Sequence, residues 1–353
     1  MHTRICRIGT GIVGVVIAAT GLSCSQTTGG SEIADRSKLQ RFAPLPNVLA
    51  AKGTIPSEEM VSLGRVLYHD PRLSRSQTLS CNSCHPLSSY GADGQATSAG
   101  FKGQRGSRNS PTVYNAAAHF VQFWDGRAPD VEAQAKGPML NPVEMAMPSG
   151  KAVESVLRSM PEYATAFRRA FPGEKNPVTF DHAAEAIGAF ERKLLTPARW
   201  DRFLRGEEAA LTPAEKGGFN VFIERGCSTC HSGALVGGEA FQRLGVAAAY
   251  PDKSDPGRYQ VTQKESDRMV FKTPSLRNVA RTGPYFHNGK VGSLLEAVNQ
   301  MAEYQTGKKV TAPEAEAIVT WLNALTGDLP PNYSTPPQLP KSTPRTPKAI
   351  SGD

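Results

Sequence analysis

Two pentads carry the most specific chemistry in this sequence: Cys81-Asn82-Ser83-Cys84-His85 and Cys227-Ser228-Thr229-Cys230-His231. A Cys-x-x-Cys-His run is the attachment signature of a c-type haem, in which two thioethers fix the porphyrin and the adjacent histidine ligates the iron. A zinc site would need both cysteine pairs to converge on one metal, and it would leave the two histidines without a task. The remaining cysteines, Cys6 and Cys24, lie in the N-terminal segment, so no disulfide framework is left over. The pattern predicts two covalently bound haem c groups, one on Cys81, Cys84 and His85 and one on Cys227, Cys230 and His231.

The elements that must position these pentads also repeat. Pro56-Ser57 opens a helical stretch in which Met60, Leu63 and Leu67 share one face and Gly64 leaves room for another helix. Thr212-Pro213-Ala214-Glu215 reads as a capping box with proline at the first helical position, and Gly218 and Val221-Phe222 follow it. Thr311-Ala312-Pro313-Glu314 opens a further helix with Ile318, Trp321, Leu322 and Leu325 apolar, and Gly327 stops it. The expected fold is mainly α: two tandem cytochrome c-like domains, residues 41–198 and 199–330, each with one haem and long ordered loops. Their junction falls within residues 194–208.

A length of 353 residues suits two such domains, and 39% apolar residues suffice for their cores. Gly (33) and Pro (27) are abundant while β-branched runs are scarce, which favours short helices joined by loops over sheets. The formal charge is +8, but Arg4, Arg7, Lys341, Arg345 and Lys348 sit near the termini and the rest is interleaved with acids. That distribution lacks the concentrated stripe of a nucleic-acid binder and supports at most docking to a mildly acidic protein. Residues 1–24 read as a secretory signal, with a basic start and an uncharged apolar run over 8–22. Leu22-Ser23-Cys24 resembles a lipoprotein cleavage box, although Gly21 departs from it, which makes Cys24 a candidate lipid anchor in the periplasm. Residues 25–40 are expected to be a tether and 331–353 a disordered, proline-rich tail.

Taken together, the chain resembles the bacterial diheme cytochrome c peroxidases and their MauG-like relatives, over about residues 56–327. The resemblance rests on both pentads, Arg108-Asn109-Ser110-Pro111-Thr112, Gln122-Phe123-Trp124-Asp125-Gly126-Arg127, Gln134-Ala135-Lys136-Gly137-Pro138 and Glu144-Met145. It continues through Thr273-Pro274-Ser275-Leu276-Arg277-Asn278, Thr282-Gly283-Pro284-Tyr285-Phe286-His287 and Met301-Ala302-Glu303-Tyr304. It implies a peroxidatic N-terminal haem on His85 and a higher-potential C-terminal haem ligated by His231 and Met301. A thioether paired with histidine favours ferrous iron. The resemblance assigns Gln134 and Glu144 to the distal pocket, where a carboxylate moves the peroxide proton and an amide steadies the intermediate. It sets Trp124 between the haems and makes Asn109, Thr282 and Pro284 ligands of an interface calcium, an ion suited to oxygen donors. Hydrogen peroxide as substrate, a small cytochrome c or cupredoxin as electron donor, and a homodimer are implied with it.

One departure stands out. Many members carry a distal histidine sixteen residues after the proximal one, and here that position is Phe101, which offers iron no lone pair. His119 and Met145 are the neighbouring alternatives, with His119 more plausible as a surface or supporting residue. The first iron is therefore expected to be open in the oxidised state. Peroxide reduction is the leading reading. A MauG-like oxidase acting on a partner protein is the alternative, but the resemblance implies tyrosine where this chain has Met301. A non-catalytic diheme electron carrier would give Gln134 and Glu144 no joint role.

Overall fold

The computed structural model describes residues 32–51 and 53–350. The expected signal, Cys24 and residues 25–31 of the tether lie outside the described residues. The fold is mainly helical and has two hydrophobic cores.

The first core is enclosed by α1 (Glu58–His69), the single turn α2 (Cys81–Cys84), α3 (Val131–Leu140), α4 (Gly150–Arg158), α5 (Pro161–Ala170) and α6 (Phe180–Glu191). Helix α1 starts where Ser57 Oγ accepts from the Met60 N–H at 3.2 Å, as an N-cap serine should. Its Leu63, Leu67 and Tyr68 are buried. A Cβ on Gly64 would stand 1.8 Å from the Ala186 carbonyl oxygen of α6, so only glycine allows these two helices to touch backbone to backbone.

The second core repeats this device. It is built from α7 (Arg199–Leu204), α8 (Pro213–Glu224), α10 (Leu294–Met301) and α11 (Ala312–Asn323), with Trp200, Phe219 and Trp321 at its centre, while the short α9 (Tyr259–Thr262) lies outside it. Thr212 and Glu215 form the expected capping box, each side chain accepting from the other's backbone N–H at 3.3 and 2.8 Å. A Cβ on Gly218 would lie 1.9 Å from the Ala317 carbonyl oxygen of α11. The only extended pair among the described residues is β1 (Phe241–Arg243) and β2 (Val270–Lys272), antiparallel, with Lys272 opposite Phe241.

The terminal segments correct the sequence-based boundaries. Ile33 and Phe42 belong to the second core, not the first, and Phe42 packs edge-on against Trp200 and Phe219. Residues 36–41 form a 3-10 turn capped by Asp35 instead of a free tether. Residues 331–350, expected to be disordered, lie along the first unit. Arg65 donates to the Thr335 carbonyl at 2.7 Å, Arg72 to the Pro340 carbonyl at 2.8 Å and Gln77 to the Pro347 carbonyl at 2.7 Å. Tyr333 packs against the first core. A proline-rich strand has no apolar period of its own, yet its carbonyls remain free acceptors and its backbone loses little entropy on docking. Each terminus thus crosses to the unit distant from it in sequence.

Candidate functional site

Each pentad opens onto an apolar cleft. In the first, Cys81, Cys84 and His85 line the wall, and the short α2 is fixed by the Ser80 N–H donating to Ser83 Oγ at 3.0 Å. His85 Nδ1 faces the Gly91 carbonyl at 3.2 Å. In the second, Cys227, Cys230 and His231 line the wall, and His231 Nδ1 faces the Val236 carbonyl at 3.3 Å. A carbonyl can only accept, so both rings carry the proton on Nδ1 and keep the Nε2 lone pair for a metal. Burial pushes both imidazoles below their ordinary pKa, His231 to about 4, so each is neutral at pH 7. No disulfide joins the four pentad cysteines. Paired thiols beside a neutral, oriented imidazole in an apolar cleft are the donor set a c-type haem requires, so the residues fit that cofactor on both sides.

Gln134 on α3 and Glu144 on the following loop line the same cleft as His85. They come together because Asn141 ends α3 and turns the chain: its N–H bonds the Gly137 carbonyl at 2.9 Å, and the Ala146 N–H returns to the Asn141 carbonyl at 2.9 Å. The Asn141 side chain then donates to Glu144 Oε1 at 2.7 Å and holds the carboxylate in place. Burial raises the Glu144 pKa, while the Arg127 charge and the Asn141 hydrogen bond pull it back. A carboxyl balanced in this way can both accept and return a proton.

Phe101 is in the loop beneath Glu144, with its N–H donating to the Glu144 and Val143 carbonyls at 2.7 and 3.1 Å. Its ring is buried under the Arg75 guanidinium, 5.5 Å from centroid to charge. Gly100, Val143, Glu144 and Met145 line the cleft there and Phe101 does not. Gly100 makes this arrangement possible, since a Cβ would stand 2.0 Å from the Val143 carbonyl oxygen.

Met301, at the last position of α10, lines the second cleft with His231. Tyr304, one turn on, packs edge-on to Tyr250 at 5.4 Å in a small cluster with Phe271 and Trp124, which line that cleft, and does not itself line it. Between the clefts lies Trp124, which lines both. Its indole N–H donates to the Asn109 carbonyl at 3.0 Å, and its carbonyl accepts from the Lys272 N–H at 2.7 Å, so one residue ties the two units together. Arg108 reinforces the junction by bonding Asp125 at 2.5 Å and Asp255 at 2.6 and 2.8 Å.

Asn109 is buried, and its amide N–H groups donate to the Gln95 and Ala96 carbonyls at 2.9 and 3.3 Å. That leaves its Oδ1 as an acceptor. Its backbone N–H bonds the His287 carbonyl at 2.7 Å, on the loop that carries Thr282 and Pro284.

Four residues in or beside the clefts were not visible as functional in the sequence. Asn141 and Arg127 act on Glu144. Glu191 of α6 reaches the first cleft, where burial and the nearby Glu132 push its carboxyl up to about 8. Lys272 lines both clefts. Only Asn141 had a local signal, a helix-ending amide three residues before a glutamate; the others come to the clefts through tertiary packing.

Residues 58–209 match the family model described as Di-haem cytochrome c peroxidase. The chain is 46% identical to the cytochrome c551 peroxidase of Pseudomonas aeruginosa over 315 residues, which is 87% of this chain and 90% of that protein. It is 38% identical to the methylamine utilization protein MauG of Methylorubrum extorquens, over 73% of this chain and 72% of that one. Among solved structures, a MauG-like protein associated with microbial copper homeostasis superposes with a TM-score of 0.73 at 27% identity, covering 83% of this chain and 97% of that chain.

Proposed function

This chain belongs to the di-haem cytochrome c peroxidase family, and on that premise we propose that it reduces hydrogen peroxide to water with electrons from a small cytochrome c or cupredoxin. In this reading each unit is a cytochrome c-like domain with one haem c. Cys81, Cys84 and His85 hold the first group, and Cys227, Cys230, His231 and Met301 hold the second. When bound, the haems would supply the iron chemistry for peroxide and the capacity to store and deliver the electrons that split the O–O bond.

The residues of the chain do the rest. His85, kept in one tautomer by the Gly91 carbonyl, presents Nε2 to the iron. Glu144 takes a proton from the peroxide oxygen nearest the iron and returns it to the departing oxygen, which leaves as water. Asn141 holds the carboxylate still during both transfers, and the Gln134 amide steadies the reacting oxygen. Trp124 lies along the route from the second cleft. Met301, with a thioether, makes the second site the better electron acceptor from the donor. Asn109, through its free Oδ1, together with Thr282 and Pro284 would hold the interface calcium. Placement in the periplasm, an anchor at Cys24 and a homodimer complete the reading.

The observation that carries it is the convergence of Gln134 and Glu144 on the cleft of His85. A bare electron carrier has no use for that pair, and Met301 in the second cleft, with Tyr304 not among its lining residues, favours peroxide reduction over MauG-like oxidation of a protein. The test is stoichiometric: the holoprotein, given a reduced small cytochrome and hydrogen peroxide, should oxidise two donors per peroxide consumed. Peroxide consumption without donor oxidation, or no consumption, would overturn the reading.

A further inference from the structure

Trp124 and Lys272 are the two side chains that line both clefts. Trp124 has a role in the proposed function, and Lys272 does not yet have one. Lys272 is only 6% exposed, and its position is rigid: β2 pairs it with Phe241, and its N–H is fixed to the Trp124 carbonyl at 2.7 Å. Its ammonium reaches His119 Nδ1 at 2.7 Å and the Val121 carbonyl at 3.1 Å, both uncharged partners. Among the described residues no carboxylate forms an ion pair with it, in contrast to the buried Arg72 and Arg277.

Burying a cation among neutral acceptors is unfavourable, and a hydrophobic residue of similar size would ordinarily be the more stable choice. Burial alone pushes the Lys272 ammonium down to about 7, so it needs an anionic neighbour to hold its full charge at neutral pH. The same argument applies to His119. Because Nδ1 accepts from the ammonium, the ring proton is on Nε2, and Nε2 is shielded from solvent with no partner in the protein. Two donors, one charged, are therefore held at the seam of two clefts that fit haem, a group that carries two carboxylate arms.

We propose that Lys272, steadied by His119, is a shared electrostatic anchor for both haems: from the seam its positive charge would attract the carboxylates that such groups carry and raise both reduction potentials. This rests on the reading that both clefts hold haem c. A positive charge near an iron disfavours the ferric state, which carries more charge than the ferrous one, so a single ammonium at the seam acts on both sites with the same sign. Lys272 is a positioning residue here, since it acts on the cofactors' charge and not on the peroxide.

The experiment compares Lys272→Met and Lys272→Arg in the di-haem holoprotein, with both potentials read by spectroelectrochemical titration and haem content by the pyridine haemochrome assay. Lys272→Met should lower both potentials, while Lys272→Arg, which keeps the charge, should leave both near wild type. A purely structural lysine would move the melting temperature without moving both potentials in step. Unchanged potentials in Lys272→Met, or a shift at one haem only, would overturn the proposal. Should Lys272→Met fail to accumulate, Lys272→Gln removes the charge while keeping a donor to Val121, and the same outcomes apply. A wild-type protein with fewer than two haems per chain would instead refute the assignment of the clefts.

Discussion

Replacing Glu144 by glutamine tests the proton-transfer role with little disturbance to the site. The Asn141 amide donates to Glu144 Oε1 at 2.7 Å. A glutamine carbonyl oxygen occupies the same place and can accept the same hydrogen bond, so the loop and the cleft should persist. What is lost is the capacity to carry a proton. General acid–base groups contribute about 10²- to 10⁴-fold, which at roughly 1.4 kcal/mol per decade adds about 3–5 kcal/mol to the barrier. Glu144→Ala should show the same loss of turnover plus a stability cost of roughly 1 kcal/mol, because the half-buried Asn141 amide loses its acceptor. The pH profile carries an independent signature. Burial raises the Glu144 pKa, so the carboxylate form needed to accept the peroxide proton is lost as pH falls through that raised value. Wild-type turnover should therefore decline on the acid side, and Glu144→Gln should lack that limb. The assay is stopped-flow oxidation of a reduced donor at saturating donor concentration, with haem content checked for each variant. Turnover by Glu144→Gln within threefold of wild type, with the acid limb intact, would refute the role.

Four further outcomes follow from the same geometry. Met301→His should retain both haems and lower the second potential, because imidazole stabilises ferric iron better than a thioether does; an unchanged potential, or a wild type without the near-infrared methionine-to-iron band, would remove Met301 as ligand. Fully oxidised protein should show a high-spin ferric signal from the first haem and bind cyanide without prior reduction, since Phe101 has no lone pair and its ring is packed under Arg75; an entirely low-spin electron-spin-resonance spectrum would count against this. Arg277→Met should destabilise the second unit by roughly 3–5 kcal/mol in chemical denaturation, because Arg277 and Asp201 form a fully buried pair at 2.5 and 2.9 Å and Asp201 also accepts from the Leu45 N–H at 2.6 Å. Deleting residues 334–353 should cost about 2 kcal/mol, the net of several hydrogen bonds against the entropy of ordering the strand, and should speed amide exchange around Arg75, whose carbonyl accepts from the Ile350 N–H at 3.0 Å.

The sequence alone was enough for whatever is encoded locally. The two pentads prescribe their chemistry through covalent spacing, and the helices opened by Ser57 and Thr212 begin where short-range capping places them. Gly64 and Gly218 marked helix contacts, because a missing Cβ is a local fact with one main structural use. The sequence could not say which helices would meet there, and that choice, α6 for Gly64 and α11 for Gly218, belongs to core packing. It also misjudged the termini: no hydrophobic period announces that a proline-rich strand will offer its carbonyls to Arg65 and Arg72, or that Ile33 and Phe42 will complete the second core. Phe101 was legible as a residue unable to ligate iron, but the direction of its ring was decided by Gly100 and Arg75. Lys272 lies 153 residues from His119 and 148 from Trp124 in a chain whose lysines are mostly solvated. Its burial between two clefts arises from the docking of the two units, and no window of sequence carries that information.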